Sequence, residues 1–189
     1  MRPDKRGPST VRVMNSGLAV LGRSDGSAKF LFGDSGVLCG INGPMTVKFK
    51  DEILDRATIS VIYTPCTGSG GPSDRFIESF IRQTAEALIL SQLHPRTAIK
   101  LNCQALADDG CILAAAVNAM VLALLDAGVP MKSTGAAVTC LINKDGELLL
   151  DPTALELKDA QSTHTFVFDQ SSLSCIAIHS TGLFTEEEV

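Results

Sequence analysis

The sequence predicts an α+β fold: mostly antiparallel strands around one buried and one amphipathic helix. Three observations carry the prediction. Between Ala107 and Met131, Asn118 is the only polar residue separating the Asp108-Asp109-Gly110 turn from Asp126. A helix apolar all round must be covered on every side. Phe76, Ile77, Phe80, Ile81, Thr84, Ala87 and Leu88 recur at helical spacing, with Arg75, Glu78, Arg82 and Glu86 largely opposite. Elsewhere, short stretches alternate apolar and polar residues between Gly, Pro, Asn and Asp turns.

Taken in order, Leu18 to Asn42 reads as a meander of short strands, with turns at Ser24-Asp25-Gly26 and Gly33-Asp34. Gly43-Pro44 is expected to break it, with a further strand over Thr46 to Phe49. Ala57 to Tyr63 alternates as a strand. Thr67 to Pro72 is a flexible loop, a connector or nucleic-acid contact. It lacks the terminal Gly-Lys-Ser/Thr of a phosphate-cradling loop. Ser73 or Asp74 is expected to cap the amphipathic helix, which ends before His94-Pro95. Thr97 to Ala107 alternates Ile99, Leu101 and Cys103 against Lys100, Asn102 and Gln104, so it is a strand leading into the central helix. Gly128 and Pro130 stop that helix. The run is shorter than the roughly 18 apolar residues of a membrane span, and it carries Asn118. Ala136 to Asn143 and Glu147 to Leu150 form a hairpin about Asn143-Lys144-Asp145-Gly146. Asp151-Pro152-Thr153 starts a short helix, Thr163 to Asp169 and Cys175 to Ser180 are the last strand pair, and Thr185 to Glu188 has the cap and acidic first turn of another helix.

At 189 residues the chain fits one domain, and a domain of this size buries roughly 70% of its unfolded surface. The apolar excess (45% hydrophobic) fits subunit contacts or simply a Leu- and Ala-rich core. A net charge of −5 argues against a broadly basic nucleic-acid binder. Arg2, Lys5, Arg6 and Arg12 cluster in a basic arm, residues 1–12, with two readings: an RNA-contacting arm or a solvated tail, the tail preferred. No apolar stretch follows Met1, so no secretory signal is expected. The six cysteines form no C-x-x-C, which suits free, buried thiols in a reducing compartment. His94, His164 and His179 are expected at the surface or as caps. Asp108 and Asp109 invite a metal or acid-base reading, but a turn or helix-capping role is preferred.

Met1 to Arg6, Asp25-Gly26-Ser27-Ala28, Leu93 to Thr97, the acidic turn with its helix through Asp126 to Pro130, and Leu150-Asp151-Pro152-Thr153 together resemble the ribonuclease PH family over almost the whole chain. Within it, the ring subunits of the eukaryotic RNA exosome are most similar. The resemblance implies a ribosomal-protein-S5-domain-2-like fold over residues 1–189, as a single domain. It also implies a place in a six-subunit ring beside other ribonuclease PH-like subunits and cap subunits. RNA would be threaded 3′ end first, for processing and degradation including ribosomal RNA maturation, in nucleus, nucleolus and cytoplasm, with no membrane partner and no cofactor. Family members continue into a long carboxy-terminal helix. Either this chain is trimmed or it lacks that helix, in which case an exposed apolar patch should make it self-associate.

Active members hold the attacking phosphate with a Gly-Thr/Ser-Arg triplet, which here matches Gly110-Cys111-Ile112. Ile112 offers neither charge nor hydrogen bond, and Cys111 is a poor donor. Their catalytic carboxylates match Leu157 and Thr163, neither a useful acid. The resemblance therefore implies a degenerate, metal-free site with no catalytic residue. Glu156 and Asp159 keep a rival open: an active phosphorolytic or metal-dependent 3′–5′ exoribonuclease. As plain alternatives, they are solvated acids. Arg75 and Arg82 are the candidate RNA-backbone contacts, or else they only pair with Glu78 or Glu86.

Overall fold

The computed structural model describes residues 2, 4–68 and 70–185. The expected helix start over 186–188 and part of the arm motif (1 and 3) lie outside them.

Two sheets enclose the central helix. The first holds β1 (Met14–Leu18), β2 (Gly26–Phe32), β3 (Ser35–Thr46), β5 (Thr97–Ala107) and β4 (Thr58–Thr64), in the order β1-β2-β3-β5-β4. All its pairings are antiparallel except β4 with β5. The second is antiparallel, ordered β7-β6-β8-β9, from β6 (Gly135–Asn143), β7 (Leu148–Leu150), β8 (Ala160–Asp169) and β9 (Cys175–Gly182). Helix α2 (Ile112–Asp126) packs on β2, β3 and β5 from one sheet and on β6 and β8 from the other. Its alanines at 114, 115, 116, 119 and 123 are fully buried, so the backbone of each sheet comes close. The fold class is α+β, as expected.

Asn118 has a specific role in that packing. Its side-chain amide donates to Ala137 O (3.0 Å) and its Oδ1 accepts from Ala137 N (2.8 Å). Strand β7 pairs with β6 over 140–142 and does not reach Ala137. Asn118 therefore takes the place of the missing strand and satisfies two buried backbone groups. At the other end, Gly128 (φ +65°) donates to Leu125 O and Val129 to Leu124 O, the Schellman closure that a Gly-then-Pro ending predicts.

Strand β2 enters directly beneath this end. A Cβ on Gly26 would lie 2.3 Å from Ala127 N, and Ser27 N–H donates to Asp126 Oδ2 at 2.9 Å. Only glycine allows such an approach. Helix α1 (Pro72–Leu88) buries Phe80, Ile81, Thr84, Ala85 and Leu88, while Phe76 and Ala87, both assigned to its inner face from spacing, are exposed. Its cap is Gly71 with Pro72 following, and Asp74 Oδ2 accepts from Gly71 N at 2.6 Å. Asp74 thus serves from inside the helix, and Ser73 has no part in the cap.

Several expectations need correcting. The meander begins earlier, with β1 at Met14. The Gly43-Pro44 peptide does not end β3, which continues to Thr46 across a register shift between Asn42 and Met45. After Thr46 the chain leaves the sheet and turns over residues 49–51, with Asp51 N–H donating to Lys48 O at 2.9 Å, so the separate strand expected over Thr46 to Phe49 is absent. His164 is buried, held by Ser180 Oγ (2.8 Å) and Ser162 Oγ (2.9 Å), and is neither a surface nor a capping residue. All six cysteines are free, but Cys66 and Cys175 are exposed.

Asn118→Ala is expected to lower the unfolding free energy by about 2 kcal/mol or more, because two buried backbone groups lose their partners. Urea denaturation checks this; a loss within about 0.5 kcal/mol, typical of a surface change, would mean that Ala137 needs no such partner.

Candidate functional site

Cys111, Ile112, Glu156, Leu157, Asp159 and Thr163 lie on three segments: the turn entering α2, helix α3 (Ala154–Lys158) with its capping residues, and β8. The turn is rigidly made. Gly110 N–H donates to Asp108 Oδ1 (3.0 Å), Asp109 N–H to Ser35 Oγ (2.9 Å), and Ser35 Oγ to Gly110 O. Asp108 thus has the turn role expected of it. Neither aspartate caps α2, whose preceding residue Cys111 sits in the left-handed region (φ 57°) without a side-chain cap.

Gly110 also marks where the turn presses against the Asp151-Pro152-Thr153 loop. A Cβ there would meet Pro152 O at 2.7 Å and Leu157 Cδ1 at 3.1 Å. Leu157 therefore covers the α-carbon of the first residue of the triplet with hydrocarbon. Cys111 is buried, and its thiol donates to Pro152 O at 3.2 Å. Burial, then the nearby Asp151 charge, pushes that thiol up to about 12, so it stays protonated. Ile112 opens α2 and packs against the core. Chemically this corner is hydrocarbon, a neutral thiol, and the Asp109, Gly110 and Pro152 backbone groups that its own bonds occupy.

The carboxylates have other partners, supplied by the arm. Asp151, with its side chain 2% exposed, receives Arg12 N (2.7 Å), Arg12 Nε (2.9 Å) and Nη2 (2.7 Å), and Arg6 Nη1 (3.1 Å). Arg12 Nη1 reaches Asp109 Oδ2 at 2.9 Å, while Asp109 Oδ1 accepts from Ala154 N. Arg2, itself buried, grips Glu156 with Nε to Oε1 (2.8 Å) and Nη2 to Oε2 (2.9 Å), and donates to Leu150 O and Asp151 O. Glu156 also accepts from Thr153 N at 2.8 Å, the second half of a capping box on α3. The arm is thus not a solvated tail: Arg2, Arg6 and Arg12 are fastened to this corner, while Lys5 remains exposed.

Burial raises both Asp151 and Glu156, but the hydrogen bonds and charge of Arg12 and Arg2 outweigh it and hold each below the ordinary carboxylate range. A carboxyl so held is ionised at neutral pH and has no proton to give. Asp159 is at the surface, with Lys144 Nζ 3.9 Å away. Thr163 pairs with Thr181 across β8 and β9. Among the described residues, no group of three His, Cys, Asp or Glu is placed to hold a metal ion.

Arg75 and Arg82 belong to a different place. With Glu78 and Ser79 they form one stripe along α1 that lines a cleft of about 640 Å³. Neither makes an ion pair among the described residues. Glu78, a candidate partner, instead accepts from Tyr63 N at 2.9 Å.

Asp151→Asn is expected to cost about 3 kcal/mol, since it strands buried guanidinium groups. The pH dependence follows from the depressed carboxyls. Their stabilisation is complete above the unfolded values of about 4 and is lost as pH falls through the lower folded values. Urea midpoints should therefore be level above about pH 5 and fall below about pH 4. In Asp151→Asn, Glu156→Gln the fall should be shallower; an unchanged slope would contradict the clamp.

Family models described as "3′ exoribonuclease family, domain 1" and "domain 2" match residues 10–130 and 135–189. The Arabidopsis thaliana "exosome complex exonuclease RRP46 homolog" is 33% identical over 175 residues, covering 93% of this chain and 73% of that relative. The crystal structure of rice (Oryza sativa) Rrp46 superposes with a TM-score of 0.93 at 31% identity, covering 99% of this chain and 88% of that one. An Archaeoglobus fulgidus exosome structure with RNA bound to the active site shares the fold, with TM-score 0.83, 22% identity, and 99% and 85% coverage.

Proposed function

The chain belongs to the 3′ exoribonuclease (ribonuclease PH) family, and from that premise we propose that it is a non-catalytic ring subunit of the RNA exosome. One observation supports the silent part of this reading: at the positions that the resemblance matches to the phosphate-holding residues stand Ile112 and a protonated Cys111, and Leu157 covers Gly110 beside them. Phosphorolysis needs donors around the attacking dianion and an acid for the leaving oxygen. The nearest carboxylates, Asp151 and Glu156, are tied to arginines of the arm.

The ring part is supported by relatives named as exosome components and by surface chemistry. Edge strand β1 and its flanks expose Val13, Met14, Leu18 and Val20, an apolar edge suited to burial against a neighbour. Reading the chain as a single domain is supported by α2, which both sheets share. The subunit works beside other ribonuclease PH-like and cap subunits on RNA, including ribosomal RNA, in nucleus, nucleolus and cytoplasm. It has no cofactor of its own. Arg75 and Arg82 supply sequence-independent contacts to the RNA backbone. The rival reading, a nuclease acting through Glu156 and Asp159, has against it that Glu156 is doubly bound by Arg2 while Asp159 lies at the surface.

Purified chain, alone and assembled with partner ring subunits, should release no nucleoside diphosphate from RNA with phosphate, and no nucleotide with divalent ions. Phosphate-dependent release that ends on Glu156→Gln would overturn the proposal. In the assembled ring, Arg75→Ala, Arg82→Ala should weaken RNA binding alike for all sequences. The slope of log K against log salt should fall by about 1.4, roughly 0.7 for each phosphate contact on a single strand. An unchanged slope would remove these arginines from the RNA path.

A further inference from the structure

A second cleft, of about 490 Å³, lies where the arm meets the second sheet. Leu141 of β6 and Leu149 of β7 are partners across their hairpin, and both line its floor. Leu155 of α3 adds a third hydrocarbon surface, 61% exposed. Glu147 lies on the same side of β7 as Leu149, two residues on. Ala160 pairs with Asn143, which brings Asp159 to the same end of the cleft as Glu147. The cations here are unevenly committed. Arg2 is bound to Glu156, and Arg6 to Asp4 and Asp151. Glu147 is exposed, and its carboxylate has no partner among the described residues. Asp159 has only Lys144 Nζ at 3.9 Å, with both side chains open to water, and such a pair exchanges easily. Two carboxylates are therefore left facing one uncommitted cation, Lys5.

The second observation is the outer edge of β7. Asn143 N–H donates to Glu147 O at 3.0 Å. Glu147 and Leu149 thus turn their backbone groups toward β6, while Leu148 and Leu150 turn theirs away. At Leu150 the arm occupies that edge: Leu150 N–H donates to Pro8 O (2.9 Å), and Leu150 O accepts from Arg2 Nη1 (2.9 Å). One rung earlier, the N–H and C=O of Leu148 have no partner among the described residues. An open rung on a strand edge is a template for another main chain.

Together these features select the occupant. Hydrocarbon leading to carboxylates suits lysine or arginine, whose stem is apolar and whose head is charged. The open rung calls for a peptide backbone, which a metal ion, a polyamine or a nucleic acid lacks. The chain's own Glu186-Glu187-Glu188 is excluded by its charge. We propose that the cleft docks an extended basic segment of a partner protein. The segment adds to β7 at Leu148 and lays one lysine or arginine over Leu149 and Leu155, with its charge at Glu147 and Asp159. No residue of α1 or of the β1 edge lines this cleft, so the site is independent of the RNA and ring readings.

Isotopically labelled full-length chain, titrated with the capped pentapeptide Thr-Val-Arg-Val-Thr, should show saturable amide shifts at Leu148, Leu149 and Leu155. The same peptide with citrulline in place of arginine keeps the shape without the charge and should bind about five-fold more weakly. A peptide N-methylated along its backbone should not bind, because it cannot donate to the edge of β7. Glu147→Gln, Asp159→Asn should weaken the arginine peptide and leave the citrulline peptide unchanged, with circular dichroism showing the variant folded. Equal affinity for arginine and citrulline peptides would overturn the proposal. Tighter binding of the glutamate peptide would also overturn it, and would mark Lys5 as the contact for an acidic partner. Shifts at the cleft that grow with protein concentration without peptide, while sedimentation shows a dimer, would assign the cleft to a second copy instead. No saturable shift at Leu148, Leu149 or Leu155 would refute docking altogether.

Discussion

Helix α2 has no face that tolerates water, and that constraint organises the molecule. One sheet can cover only one side of such a helix, so a second sheet must close over the other. Both must approach closely enough for alanine, not leucine, to fill much of the gap. Burial of this kind supplies the main drive for folding, but it also fixes where chain segments meet. The ends of α2 become junctions. At one, Gly26 and Ser27 of β2 meet Asp126 and Ala127; at the other, the turn at Gly110 meets Pro152 and Leu157.

The second junction is where the family resemblance points for chemistry, and its charged groups are engaged with one another there. A helix start facing a loop with carboxylates would suit a phosphate and an acid. In this chain Leu157 fills the space by Gly110, while Asp109, Asp151 and Glu156 receive Arg12, Arg6 and Arg2. Buried pairs of this sort add little net stability over apolar packing, but losing one partner is costly. Their effect is to fix the arm in one position across the sheet junction.

Much of the architecture was legible because it is local. Strand β5 runs from Thr97 to Ala107 as its alternation predicts, the hairpin turns at Asn143 to Gly146, and the Gly128 ending closes α2. The family motifs were legible as signatures, and the structure shows why several occur together: Asp25-Gly26-Ser27 touches Asp126-Ala127, and the arm grips Leu150-Asp151. What stayed hidden were contacts between residues distant in sequence. Arg2 and Glu156 are 154 positions apart, so no periodicity links them, and the arm reads as a solvated basic tail. His164 looks polar and exposed until its two serines are brought in by strand pairing. Glu156 and Asp159 look equivalent on a short helix, yet one is clamped and the other is at the surface. At the Gly110 corner, the residue types at Cys111, Ile112, Leu157 and Thr163 are what suggest a silent site. The covering of Gly110 by Leu157 required coordinates.

On this reading the corner around Gly110 takes no phosphate. Titrating inorganic phosphate into isotopically labelled chain while following backbone amide resonances tests it most directly. No saturable shift is expected for the amides of Gly110, Cys111 and Ile112. A saturable shift at those three amides, abolished by substitution of a neighbouring arm arginine, would contradict it.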